Sequence, residues 1–240
     1  GKEKGMKNHL RKMGLIVLFC VASLSYSSAS AAMTVLDDFD RPDGALGPNW
    51  TIQNGYFNVV SNTARGGNKA LATYNGVTSW ALEADVAANT TALQYTGLVL
   101  GYADLNNCLF MKVQQQSPFS GQFTNAAFYK GNNGVSFGPG FFDLDYPFTT
   151  AHMRVELVGD TVTMTFSNID GGSGTQVYVA HGAPNTGGNG IRICGYAGYA
   201  ILDNFAADLG GGPTIPVPGA ILLGAIGAGI IGCLRRRKTL

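Results

Sequence analysis

Apolar side chains recur at every second position along this chain, and stretches with the three-to-four spacing of a helix are nearly absent between its two ends. The clearest case is residues 152–166, HMRVELVGDTVTMTF. Val155 and Leu157 alternate with Arg154 and Glu156, and beyond Gly159 and Asp160 the residues Val162, Met164 and Phe166 alternate with threonines. A period of two puts one set of side chains on each face of a strand. A two-residue loop that begins with glycine suits a II′ turn, so the segment predicts a hairpin with one buried face.

The same alternation marks Trp80, Leu82, Ala84 and Val86, then Leu98, Leu100 and Tyr102, and then residues 109–113. Further strands are expected over 56–60, 69–74, 123–130, 176–180, 190–194 and 202–209, with a turn at Gly131, Asn132, Asn133 and Gly134. More than ten short strands divided by Gly and Asn turns predict an all-β antiparallel sandwich or barrel. About 180 residues, 32–210, suffice for one such domain with a sizeable core.

The ends read differently. Residues 6–31 carry Lys7, Arg11 and Lys12, then an apolar stretch from Leu15 to Leu24, then Ala29, Ser30 and Ala31, which is the pattern of a secretory signal peptide. Cys20 lies mid-segment behind Phe19, an arrangement that does not suit lipid attachment. Residues 211–218 form a linker ending in Pro216, Val217 and Pro218, and residues 219–240 hold an uncharged run followed by Arg235, Arg236, Arg237 and Lys238. The sixteen residues from Gly219 to Leu234 would make a helix of about 24 Å, short for a bilayer core of about 30 Å yet able to insert with local thinning. The basic cluster would stay cytoplasmic, leaving the preceding chain outside.

Without those ends the charge changes. The whole chain has net charge +1, whereas residues 32–218 hold 7 basic and 14 acidic side chains. An acidic domain argues against nucleic acid as partner, because phosphate binding draws on Lys and Arg. Cys108 and Cys194 both fall in strand-like runs; an exported domain would permit a disulfide between them, and two free buried thiols are the other expectation.

The tail resembles the PEP-CTERM sorting signals that exosortase-type membrane proteases recognise in Gram-negative bacteria secreting extracellular polysaccharide. The family's order of proline motif, short Gly-rich apolar helix and terminal Arg cluster is kept, while Val217 stands where the family has Glu. The resemblance implies an exosortase-like processing protease as partner, transient anchoring in the inner membrane through the tail helix, and a place at the cell surface or in the extracellular matrix. A plain single-span anchor, with Gly224, Ala228 and Gly232 on one packing face, is the other reading.

Residues 36–51, the ALEADV, TGLVLGYAD and NNCLFMKV segments, the hairpin RVELVGDTVTMTF, and residues 190–209 together resemble the concanavalin A-like lectin/glucanase superfamily in its laminin G-like form. What this implies is a jelly-roll sandwich of two curved antiparallel sheets with the first and last strands near each other.

Candidate chemistry is sparse. Laminarinase-like members of that superfamily carry Glu-x-Asp-x-x-Glu on one strand, and Glu83 and Asp85 match its first two acids, but Ala88 stands at the third. Glycoside hydrolysis requires two carboxyl groups, so the chain is expected to be no enzyme. His152 reads as packing or capping a strand and His181 as a loop residue. Gly171–Gly174 and 187–190 are turns, lacking the helix and Lys of a phosphate loop. Asp37, Asp38 and Asp203 are candidate calcium ligands, with an Asx-turn cluster as the alternative.

The aromatic-rich stretch 117–148 is the expected recognition surface, since rings stack on sugars while amides and carboxylates bond hydroxyls. Most of those rings should fill the core; Tyr129 and Tyr146, with Asn125 and Asp145, are the expected ligand contacts. The expectation is thus an exported protein that binds or is embedded in extracellular polysaccharide. Two alternatives stand beside it: a secreted glycoside hydrolase using Glu83, Asp85 or Glu156, and a structural coat protein without ligand.

Overall fold

The computed structural model describes residues 32–89, 94–115, 121–131, 134–188, 190–196 and 200–210. Fourteen strands follow in order: β1 (Met33–Asp37), β2 (Gly44–Ala45), β3 (Trp50–Val60), β4 (Thr63–Thr78), β5 (Ala81–Ala87), β6 (Tyr95–Asp104), β7 (Asn107–Gln114), β8 (Phe123–Lys130), β9 (Val135–Phe148), β10 (Thr150–Val158), β11 (Thr161–Ser167), β12 (Gln176–Ala180), β13 (Gly190–Tyr196) and β14 (Ala200–Asp208). A 3-10 turn, Ile169–Gly171, is the one helical element among the described residues, so no helix there is long and apolar enough to cross a membrane. The expected signal segment and the whole of the tail from 211 onward lie outside the described residues.

All pairings are antiparallel, and the fold is an all-β sandwich. One layer runs β12-β11-β10-β5-β14, the other β13-β6-β7-β8-β9, and β4 belongs to both. Ala64 to Gly66 of β4 pair with β14, while Ala70 to Thr78 pair with β13. The alternation read from the sequence fixes which side chains fill the interior. Leu82, Ala84, Val86, Met153, Val155, Val162, Met164 and Phe166 face inward from the first layer, and Leu98, Leu100, Met111, Val113, Phe128, Ile191 and Ile193 from the second. At the far edge the layers meet again, where the Asp145 backbone N–H donates to Gln176 Oε1 at 3.0 Å and to the Tyr178 hydroxyl at 2.8 Å.

The β10–β11 hairpin closes at Gly159 and Asp160 with Val158 opposite Thr161, and Gly159 has φ 64, the left-handed value that glycine tolerates. The first and last strands pair, Met33 opposite Asp208. β14 changes partner part-way. Ala200 to Leu202 lie beside β4, and Phe205 to Asp208 lie beside β1. Between them Asn204 takes φ 51 and the register with β5 shifts between Asp203 and Ala206. That bulge presents Asp203 and Asn204 over the middle of β5.

Candidate functional site

Three neighbouring strands, β14, β5 and β10, put their charged side chains on the same outward face of the first layer. On β5 the buried Leu82, Ala84 and Val86 send Glu83 and Asp85 outward, and on β10 the buried Met153, Val155 and Leu157 do the same for His152, Arg154 and Glu156. The register sets His152 opposite Asp85 and Arg154 opposite Glu83, and on the other side of β5 it sets Asp203 opposite Asp85.

The result is a ladder of alternating charge. His152 Nδ1 lies 2.8 Å from Asp85 Oδ1, and its Nε2 lies 3.5 Å from Glu83 Oε2. Arg154 donates from Nη1 to the same Glu83 oxygen at 3.3 Å and sends Nη2 to within 3.7 Å of Glu156 Oε2. The other oxygen of Asp85 accepts from Asn204 Nδ2 at 2.8 Å. The hydrogen bond with Asp85 raises the His152 imidazole above its ordinary value, against the opposing pull of burial and with the help of Glu83. The same bond, with the one from Asn204, holds the Asp85 carboxyl low although burial opposes it. Asp203 goes the other way: burial, then the neighbouring charges of Asp85, Asp38 and Asp40, push its carboxyl up.

Asp85 and Asp203 border a cavity of about 320 Å³, lined also by Thr63, Thr150, Asn168 and Ile201. Two opposed carboxyl groups with oppositely displaced acidities share one concavity, the arrangement by which proteins separate an acid from a base.

Of the three motif positions, Glu83 and Asp85 join this site, while Ala88 is buried in the core with its N–H bonded to Thr149 O at 2.8 Å. Glu156 joins through Arg154. His152, read as a packing residue, is instead the bridge between two carboxylates. Arg154, Asp203 and Asn204 complete the arrangement. The sequence holds one signal for it, the all-polar outward set of β10. His181 lies in the loop after β12, with Nδ1 3.1 Å from Thr161 Oγ1.

The four residues expected to meet a sugar do not form one group. Tyr129 and Asn125 lie on β8 in the second layer, whereas Asp145 and Tyr146 lie near the end of β9, beside β12. Asn125 is fully buried and donates to Asp143 Oδ1 while accepting from Thr124. Tyr146 is exposed, and Tyr129 is half-buried over the Lys112 ammonium, 4.7 Å from ring centre to Nζ.

The calcium candidates are not arranged as one ligand set. Asp37 accepts from both terminal nitrogens of Arg41, at 2.7 and 3.0 Å, and from Trp50 Nε1 at 2.6 Å. Although burial opposes them, these bonds hold its carboxyl below the ordinary range. Asp38 caps the Asp40 N–H, while Asp203 stands at the β5 cavity. No group of three or more His, Cys, Asp or Glu side chains able to hold a metal occurs among the described residues. Of the two expectations for Cys108 and Cys194, a disulfide or two free buried thiols, the structure holds the second. β6 runs between β7 and β13, so the two thiols belong to strands about 9.6 Å apart, beyond the reach of a disulfide at about 4.4–6.8 Å between Cα atoms.

No family model matches the chain, and no curated protein matches it. Among solved structures it is similar to the β-glucanase of Bacillus licheniformis, at 9% identity and TM-score 0.47, covering 73% of this chain and 96% of that one. It is also similar to an apo Crh5 transglycosylase, at 13% identity and TM-score 0.45, covering 78% and 86%. The CBM2 module of the evolved Dit of Lactobacillus casei BL23 phage J-1 matches at 13% identity and TM-score 0.47, covering 70% and 91%. The expectation that this chain is no enzyme does not stand. That expectation looked for both acids on one strand, whereas here carboxyl groups come together from β5, β10 and β14.

Proposed function

We propose that the chain acts on polysaccharide as a glycoside hydrolase-like protein, with its reacting groups in the cavity between β5 and β14. The observation that carries this reading is the opposition of Asp85 and Asp203 across those strands, one carboxyl held low and the other raised. Directly opposed residues in an antiparallel pair stand about 4.5–5.5 Å apart at Cβ. Side chains rooted that close on one face can bring their carboxyl groups to the separation of about 5–5.5 Å at which two carboxyl groups work in turn in a double displacement.

Asp203 gives its proton to the glycosidic oxygen as the bond to the anomeric carbon breaks, and Asp85 attacks that carbon. Water then enters, losing a proton to Asp203 as the ester to Asp85 is cleaved. His152 and Asn204 aim Asp85, and Arg154, held by Glu83 and Glu156, keeps the face electrically balanced.

The test is release of reducing ends from β-glucan, xylan and agar-type polysaccharides by the full-length protein. Release is expected from at least one of them, falling at least 100-fold in Asp85→Asn and in Asp203→Asn with the melting temperature unchanged. Silence of the wild type on every substrate, or full activity in Asp85→Asn, overturns the assignment.

Export belongs to the same reading. Residues 6–31 lead the domain across the inner membrane, and residues 211–240 deliver it to an exosortase-like protease and then to the cell surface or matrix. A tagged copy recovered full-length from the cytosol counts against it.

A further inference from the structure

The second layer carries a different and independent feature on its outward face. Along β13, Ile191 and Ile193 point into the core, so Arg192 and Cys194 point the other way. Arg192 is only 3% exposed, yet its Nε and Nη1 have no hydrogen-bond partner. Thr73, directly opposite on β4, has its buried Oγ1 unpartnered as well. Three idle polar atoms thus meet at one cross-strand pair. Tyr102 packs its ring against the guanidinium.

Burying a charge without a counter-charge costs several kcal/mol or more, and buried polar atoms are ordinarily satisfied. Among the described residues no carboxylate pairs with Arg192. Asp104, at the end of β6, spends its oxygens on the backbone N–H groups of Asn106 and Asn107 and on Asn107 Nδ2. A second cation stands in the next row. Lys112 on β7 lies between the rings of Tyr95 and Tyr129, at 4.5 and 4.7 Å, and it too has no carboxylate partner among the described residues. Burial lowers both cations, Arg192 to about 10, as expected of charges whose counter-ion is missing.

We propose that this face binds an oxyanion borne by an acidic saccharide, the carboxylate of a uronic acid or a sulfate ester, with Arg192 and Thr73 as its polar contacts and Lys112 as the second cation. A buried guanidinium with two unpartnered N–H groups and no counter-charge favours an oxyanion, which both accepts hydrogen bonds and balances the charge, over a neutral sugar hydroxyl, which supplies no charge. Tyr95, Tyr102 and Tyr129 supply flat apolar surface beside the cations.

The experiment is titration calorimetry of full-length protein with oligoglucuronate, a neutral β-glucan oligosaccharide of equal length, and inorganic sulfate. Oligoglucuronate is expected to bind at least tenfold more tightly than the neutral oligosaccharide, with that advantage lost in Arg192→Gln and reduced several-fold in Thr73→Val. Thr73→Val conserves shape and removes only the hydroxyl, so it reads the site even where Arg192→Gln fails to fold. Equal affinity for sulfate and oligoglucuronate supports an oxyanion site and overturns the saccharide as its source. Equal binding of acidic and neutral oligosaccharides, or unchanged affinity in Thr73→Val, overturns the proposal.

Discussion

His152 shows how one side chain acquires a role from neighbours far along the chain. Its raised acidity constant means that protonation favours folding: the contribution is complete below the ordinary 6.5 and fades as pH climbs through the folded-state value. Asp85, held below its ordinary 3.8, contributes fully above that pH and loses the contribution as pH falls through its own folded-state value. The pair is therefore at full strength between about pH 4 and 6.5. Both side chains are partly solvated, which limits the pair to about 0.5–1 kcal/mol. In thermal melts, wild type should exceed His152→Gln most at pH 5–6, with the gap closing toward pH 9; a gap independent of pH would mean that the ring only packs. The partner of His152 lies 67 residues away, and no local pattern encodes that distance. What the sequence does contain is the outward triplet of His152, Arg154 and Glu156, whose meaning appears only when β5 is laid beside it.

Among the elements, β10 and β11 were fully legible because each buries one face, so polar and apolar residues alternate without a break. β9 was not. Its fourteen residues include Gly138, Gly140 and Pro147, its register with β8 shifts twice, and most of its side chains are exposed, so the sequence shows a recognition surface there and no strand over 135–148. In the fold its rings divide by burial. Phe148 packs between Phe123, edge to face, and the tilted ring of Phe166, at 5.6 and 5.1 Å between centroids, while Phe141 is 40% exposed. Phe148→Ala should cost about 3–5 kcal/mol in urea denaturation, from lost transfer energy and the cavity left behind, and Phe141→Ala less than about 1 kcal/mol. Similar losses at both positions would refute the assignment of the inner face. β14 was half legible: its apolar residues were plain, but the partner change at Asn204 that carries Asp203 to the site follows from a left-handed residue in a strand.

For the molecule as a whole, fold class could be anticipated, because a domain of this size with short alternating strands has few ways to bury them, while the nearness of first and last strands came only with the superfamily resemblance. Distances between strands could not, and the cysteines illustrate it. Cys108 and Cys194 both sit in apolar strands and look equally ready to bond or to remain apart; only the interposition of β6 decides. Burial pushes the Cys108 thiol up to about 11 and Cys194 higher still, so neither forms a thiolate readily. Peptide mapping after alkylation should find both positions unmodified in folded protein and both modified in denaturant, without reductant. Modification that requires prior reduction would restore the disulfide.

The double membership of β4 has a mechanical consequence. One continuous strand is hydrogen-bonded to β14 in one layer and to β13 in the other, so neither layer can peel away while its partner stays intact. Amide protons of residues 64–66 and 70–72 should then exchange with deuterium only as fast as the entire domain opens, and a denaturant series should move them together, as a single cooperative unit linking the two layers.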